Sequence, residues 1–208
     1  MVNGHASQKL VAVDLDGTLI RGNSLRVYMK CALRDSLRRH RPWLTVRLGA
    51  VITLRALRLC SHRHMKWRVL ELGGKSPALR DDFARHIRSL IRADVAALLK
   101  ARADEGCRIV LATAAADMYI PWFWSGEFLA TATDGNPAHD ECRGTRKLKA
   151  VAAYAAANGL TLDTVITDHH DDLALLASGA PHRILVSPSP RTLAAVNMAG
   201  IHIDTIFR

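Results

Sequence analysis

The stretch "VAVDLDGTL" (residues 11–19) decides the fold. Leu10 to Val13 is short, apolar and rich in β-branched residues, the pattern of a strand buried on both faces. It runs straight into Asp14 and Asp16, two carboxylates two residues apart, with Gly17 and Thr18 directly behind. An extended segment turns residues i and i+2 to the same side, and a glycine lets the chain fold back tightly. The pair is therefore displayed where a buried strand ends.

Outward from that strand the pattern changes twice. Residues 23–92 carry almost no strand signal; runs of helix formers are punctuated by Pro42, Gly73-Gly74 and Pro77, which predicts three or four helices. One of them starts at "SPALRD" (76–81), with Ser76 as cap and Pro77 at the first helical position. From residue 107 strands and helices alternate. Strands are expected in "CRIVLAT" (107–113), "EFLAT" (127–131), "LDTVITD" (162–168), "HRILVS" (182–187) and "IHIDTI" (201–206). Helices are expected in 144–159, ended by Gly159, then through Leu173 to Ala177, and in 189–200; Asp117 is expected to cap a further short one. Such alternation implies an α/β protein, a parallel sheet covered on both faces. The expected division is a core of residues 1–20 and 93–208, interrupted by a helical insertion over 21–92.

Charge follows the same division. The 208 residues carry a formal net charge of +10. Residues 21–92 hold 18 Lys and Arg against 4 Asp and Glu, a balance of +14, and the remainder is at −4. A basic surface attracts phosphates, nucleic acid or anionic lipid. The four cysteines, Cys31, Cys60, Cys107 and Cys142, form no C-x-x-C pair, which points to reduced thiols in a cytoplasmic protein. The amino terminus "MVNGHASQKL" has no apolar signal segment. No uncharged apolar run reaches the length of about 18 residues that a spanning helix needs.

Open parallel sheets build their sites at the carboxyl ends of strands. The polar residues fall there: Asp14 and Asp16 after the first strand, Thr113 after the second, Asp168 and Asp172 after a later one, with Lys147 near the start of a helix. Singly, each reads as a cap, a turn former or a solvated side chain. Their joint order is hard to explain that way.

In that order, "DLDGT" (14–18), "VLATAA" (110–115), "CRGTRK" (142–147) and "ITDHHDD" (166–172) resemble the four motifs of the haloacid dehalogenase (HAD) superfamily. The tail "VSPSPRTLAAVNMAGIHI" (186–203) and the placement of the insertion are similar to the phosphoserine-phosphatase-like branch. The resemblance implies a three-layer, Rossmann-like α/β core with an all-helical cap domain, and a phosphatase. Asp14 would be the nucleophile, forming an aspartyl-phosphate. Asp16 would protonate the leaving oxygen and then deprotonate the attacking water. Thr113 would donate to a phosphoryl oxygen, and Lys147 would balance charge between Asp14 and the phosphoryl group. Asp14, Asp168 and the carbonyl of Asp16 would hold Mg²⁺, with Asp172 acting through water or an outer hydrogen bond. Lys149 neighbours Lys147, but "C-x-G-x-x-K" favours Lys147.

Dehalogenases lack the second acid, so Asp16 points to phosphoryl chemistry; a phosphomutase would use it too. Phosphoserine phosphatases typically carry a Glu where this chain has Asn23, which argues against phosphoserine itself. "DHHDD" (168–172) also raises a transition-metal site, although adjacent histidines rarely converge on one centre, and rim packing or hydrogen bonding is the expected role of His169 and His170.

The segment "RPWLTVRLGAVITLRALRLC" (41–60) has two readings. The plainer is a cap helix buried on most sides, with Arg47, Arg55 and Arg58 toward solvent or the site. The sharper is an amphipathic element on an anionic membrane that presents a phospholipid headgroup to Asp14. A basic module without turnover that grips nucleic acid is the remaining alternative. Aromatics are sparse in the insertion (Tyr28, Trp43, Trp67, Phe83), so nucleic acid is not the expected partner. The expected partner is a phosphorylated small molecule or lipid headgroup; the oligomeric state is not legible.

Overall fold

Strand β1 (Gln8–Val13) is the pivot of a six-stranded sheet, as a computed structural model of residues 7–133 and 141–208 shows. Most of the amino-terminal stretch read for a signal segment lies outside the described residues. The sheet order is β3-β2-β1-β4-β5-β6, with β2 (Arg108–Ala116), β3 (Glu127–Thr131), β4 (Leu160–Thr167), β5 (His182–Val186) and β6 (Thr205–Phe207), and every pair is parallel. β1 lies between β2 and β4, so both its faces must be apolar. Leu10 and Ala12 join one core cluster, with Val110, Val165 and Leu185. Val11 and Val13 join the other, with Leu111, Ile166 and Ile184. The two-residue period of the strand thus feeds two cores at once.

The first cluster is closed by α6 (Thr145–Ala157), α7 (Leu173–Leu176) and α8 (Pro190–Met198), through Val151, Leu175, Leu176 and Val196. The second is closed by α5 (Ala93–Asp104), through Val95 and Leu99, and by the four helices inserted between β1 and α5. These are α1 (Ser24–Arg38), α2 (Pro42–Ala56), α3 (His62–Gly73) and α4 (Pro77–Leu90). Entry and exit of the insertion are stitched together: Arg21 N–H donates to the Leu90 carbonyl at 2.8 Å and Arg92 N–H to the Leu19 carbonyl at 2.9 Å. An aromatic cluster packs α1 and α4 onto the short 3-10 turn that follows β2 (Asp117–Trp122). The Phe83 ring centroid lies 4.9 Å from Tyr119, 5.5 Å from Trp122 and 6.2 Å from Tyr28.

Three expectations are corrected. The last strand is Thr205–Phe207, not 201–206; Ile201 and Ile203 instead pack against the helix-covered cluster, which pulls that stretch out of register with β5. Asp117 does not cap its helix; it is the first residue of the turn, and its carboxylate accepts from the Thr133 hydroxyl. The segment 41–60 is not buried on most sides: within α2 only Leu48 is fully buried. Among the described residues, no helix is long and apolar enough to cross a membrane.

The start of α4 is as read. Pro77 occupies the first turn, and the Ser76 hydroxyl accepts from Leu79 N–H at 3.2 Å. Ser76→Ala leaves that amide unpaired and is expected to cost about 1 kcal/mol in urea denaturation, with an unchanged denaturant slope.

Candidate active site

The carboxyl ends of β1, β2 and β4 and the start of α6 converge on one cavity of about 480 Å³. Asp14, Asp16, Thr113, Lys147, Asp168 and Asp172 all line it. The sheet topology causes the convergence: with β1 central and β2 and β4 its neighbours, three strand ends open side by side.

Lys147 is the centre of charge. It lies in the first turn of α6, its side chain 4% exposed. Its Nζ donates to Asp14 Oδ1 at 2.8 Å and to Asp172 Oδ2 at 2.7 Å. Burial alone would lower the lysine's pKa; the two carboxylates outweigh it and the net direction is up, so the ammonium stays charged. Lys149, two residues on, is exposed and is not among the residues lining the cavity. Asp172 Oδ2 also accepts from the Thr167 hydroxyl at 2.7 Å, whereas its Oδ1 is buried without a partner.

Asp14 is pushed up to about 6 by burial, against the pull of Lys147. Asp16 is likewise pushed up to about 6, with burial opposed by hydrogen bonds from Ser24. Asp16 points away from the lysine, toward the amino end of α1. Ser24 N–H donates to Asp16 Oδ1 at 2.7 Å, the Ser24 hydroxyl to Oδ2 at 3.1 Å, and Asn23 Nδ2 to Oδ2 at 3.2 Å. Asn23 is also the N-cap, its Oδ1 accepting from Arg26 N–H at 3.0 Å. Tyr119 backs this clamp, its hydroxyl 3.1 Å from that of Ser24. Two carboxylates two residues apart therefore sit in different settings: one against a cation, the other at a helix amino terminus.

Asp168 faces the turn behind the pair, and Thr18 donates to its Oδ1 at 3.2 Å. Burial raises its pKa. Gly17 has φ +85°, and a Cβ there would lie 2.2 Å from Asp168 Oδ2. Only a residue without a side chain permits this approach. Gly17→Ala is expected to expel the Asp168 carboxylate and to weaken binding of a divalent cation, measured by calorimetry, by at least about tenfold. Thr113 is 1% exposed, and its hydroxyl accepts from Ala115 N–H at 3.1 Å, which leaves its own proton to donate.

The donor set fits a hard divalent cation. Asp14, Asp168 and Asp172 offer oxygen only, and Asp172 Oδ1 is an unpaired buried acceptor that no protein hydrogen reaches. The His169, His170 and Asp171 side chains also gather, with ligand atoms within 4.8 Å of one another. Asp171 is ion-paired with Arg143, and His169 Nδ1 accepts from Asp171 N–H at 3.2 Å. His170 stacks on His169 at 4.0 Å between centroids. His169 thus packs and accepts a hydrogen bond, whereas His170 stacks on it with its Nδ1 buried and without a hydrogen-bond partner.

Sequence reading missed Ser24, Tyr119, Thr167 and the pair Lys66–Glu141. Lys66, on α3 and 4% exposed, donates to the Ala114 carbonyl and to Glu141 Oε1, both at 2.8 Å, and so ties the insertion to the end of β2. "NS" before a helical run signals a cap, but nothing in the sequence says that this cap faces Asp16.

The chain resembles, at 18% identity and a TM-score of 0.72, a protein of unknown function from Bordetella pertussis Tohama I, over 98% of this chain and 99% of that one. It also resembles a phosphoserine phosphohydrolase-like protein from Francisella tularensis subsp. tularensis SCHU S4 (17% identity, TM-score 0.58, 97% and 95% covered). A third likeness is to a phosphoserine phosphatase determined as a phospho-aspartyl intermediate analogue (12% identity, TM-score 0.57, 97% and 93% covered). At these identities the likeness is one of fold. No curated protein matches the chain in sequence. Residues 11–177, most of the chain and every residue placed above in the cavity, match the model of the haloacid dehalogenase-like hydrolases, and the protein belongs to that family.

Proposed function

We propose that the protein is a Mg²⁺-dependent phosphomonoester hydrolase that works through a phosphorylated Asp14. The observation that carries this reading is the Lys147 ammonium set between Asp14 and Asp172, 2.8 and 2.7 Å away, beside an Asp16 clamped separately by Ser24. Asp14 attacks phosphorus, and the ester oxygen leaves with the proton of Asp16. Asp16, now ionised, takes a proton from water as that water attacks the aspartyl-phosphate. Phosphate departs and Asp14 is regenerated. Asp16 is suited to both halves because burial brings its pKa to about 6. The Thr113 hydroxyl and Lys147 hold the phosphoryl oxygens. Asp14, Asp168 and the Asp16 carbonyl would hold Mg²⁺, with Asp172 acting through water or an outer hydrogen bond, and the ion would supply charge neutralisation at the phosphoryl group. The phospho-aspartyl analogue captured in a phosphoserine phosphatase of like fold supports the same chemistry here.

The paired segments at residues 19–21 and 90–92 support a division into a core of 1–20 and 93–208 and a helical cap of 21–92. The cap closes the site through Lys66 and chooses the leaving group. Asn23, spent as N-cap and as donor to Asp16, has no charge to offer a substrate amine, which favours a phosphorylated small molecule other than phosphoserine.

A panel of phosphomonoesters, lipid headgroup phosphates included, assayed for inorganic phosphate with Mg²⁺ and with EDTA tests the reading. Release with Mg²⁺ and none with EDTA is expected. Recovery of an isomeric phosphoester without free phosphate would make the protein a mutase, and silence on every substrate would leave a basic binding module.

A further inference from the structure

The structure assigns a role to α2 that is independent of the catalytic reading: we propose that its outer face docks on an anionic lipid surface. Trp43, Val46, Ala50, Leu54 and Leu57 recur every three or four residues, so they form one stripe of the helix. All of them are exposed; Trp43 is 73% exposed and Leu57 63%, and Leu59 just beyond the helix reaches 70%. The opposite side of the helix carries Leu48, Leu44, Val51 and Ile52 into the core, so the stripe is not a helix left unpacked. A contiguous apolar stripe open to water marks an interaction face.

Charge selects the occupant. Residues 36–70 hold nine Lys and Arg and no Asp or Glu. Arg47 stands one turn from Trp43, and both it and Arg58 are exposed. A second copy of the chain would set one acid-free basic surface against another. A nucleic acid would satisfy the arginines but leave Val46, Leu54, Leu57 and Leu59 without an apolar partner. An anionic bilayer takes both: headgroup phosphates meet the arginines, and the acyl boundary takes the stripe, with Trp43 at the interface. Among the described residues no helix is long and apolar enough to cross a membrane, so α2 would lie on the surface. None of its residues lines the catalytic cavity.

The test is co-sedimentation of the full chain with vesicles of phosphatidylcholine alone, or mixed in equal parts with phosphatidylglycerol, at low and high NaCl. Pelleting with the mixed vesicles at low salt, weakened by high salt and absent with phosphatidylcholine alone, is expected, together with a blue shift of tryptophan emission that Trp43→Phe diminishes. Leu54→Gln with Leu57→Gln, and separately Arg47→Glu, should each weaken binding by at least about tenfold while leaving the melting temperature unchanged. The proposal is overturned by no pelleting at low salt, or by pelleting indifferent to the leucine pair, which would be charge alone. A solution dimer that the leucine pair disperses would make a second copy the occupant. An RNA oligonucleotide retained in the same pattern would make it nucleic acid.

Discussion

Asp14→Asn is expected to lower turnover of p-nitrophenyl phosphate by at least about 10⁴-fold and to leave the fold intact. An amide has the shape of the carboxyl group but no anionic oxygen able to form the acyl phosphate. Its oxygen can still accept from Lys147 Nζ, which lies 2.8 Å from Oδ1 in the native protein. The buried charge that disappears is one the site holds at some expense, since burial already pushes Asp14 up to about 6. Melting temperature and circular dichroism should therefore stay close to wild type while the rate collapses. A variant that hydrolyses within tenfold of wild type would remove Asp14 from the role of nucleophile.

Lys147→Met should harm chemistry and structure together. The thioether fills the ammonium's space but strands Asp14 and Asp172 as buried carboxylates with no cation between them. Removing one partner of a buried ion pair costs about 3–5 kcal/mol at neutral pH, and losing one electrostatic contact to the phosphoryl group costs about 10²–10³-fold in rate. The pH dependence has a definite sign. Asp14 is already raised by burial with the lysine present, and without it must rise further. In the folded variant the neutral acid is then favoured, whereas the unfolded chain ionises near the ordinary aspartate value. The variant's deficit in stability should therefore be larger at pH 8 than at pH 5. Urea titrations at both values check this; a deficit that does not change with pH would mean that the loss is one of packing alone.

The comparison between sequence and structure turns on particular residues. Leu10 to Val13 could be read as a strand buried on both faces because a run of four apolar residues leaves no polar side to hydrate, and β1 is indeed central. The helical character of the insertion, read as three or four helices, and the Ser76 cap followed from local signals of the same strength, whereas the choice of Lys147 over Lys149 rested on the motif "C-x-G-x-x-K". The terminal strand did not, since 201–206 alternates apolar and polar residues as a strand would, yet Ile201 and Ile203 find a better apolar contact beside α8. Segment 41–60 was equally misleading: hydrophobicity without a partner looks the same in sequence as hydrophobicity in a core.

By itself the sequence determined where the candidate groups fall along the chain: an acid pair at the end of a strand, a lysine at the start of a helix, and two more acids on a later strand's loop. Those follow from bonding and short-range sterics, which extend only a few residues. Tertiary structure alone decided that Lys147 bridges Asp14 and Asp172 across 133 and 25 residues, that α1 aims Ser24 at Asp16, and that one face of α2 meets water. Each of these depends on how strands stack and helices cross, a geometry set by the packing of the whole chain that no stretch of residues encodes alone.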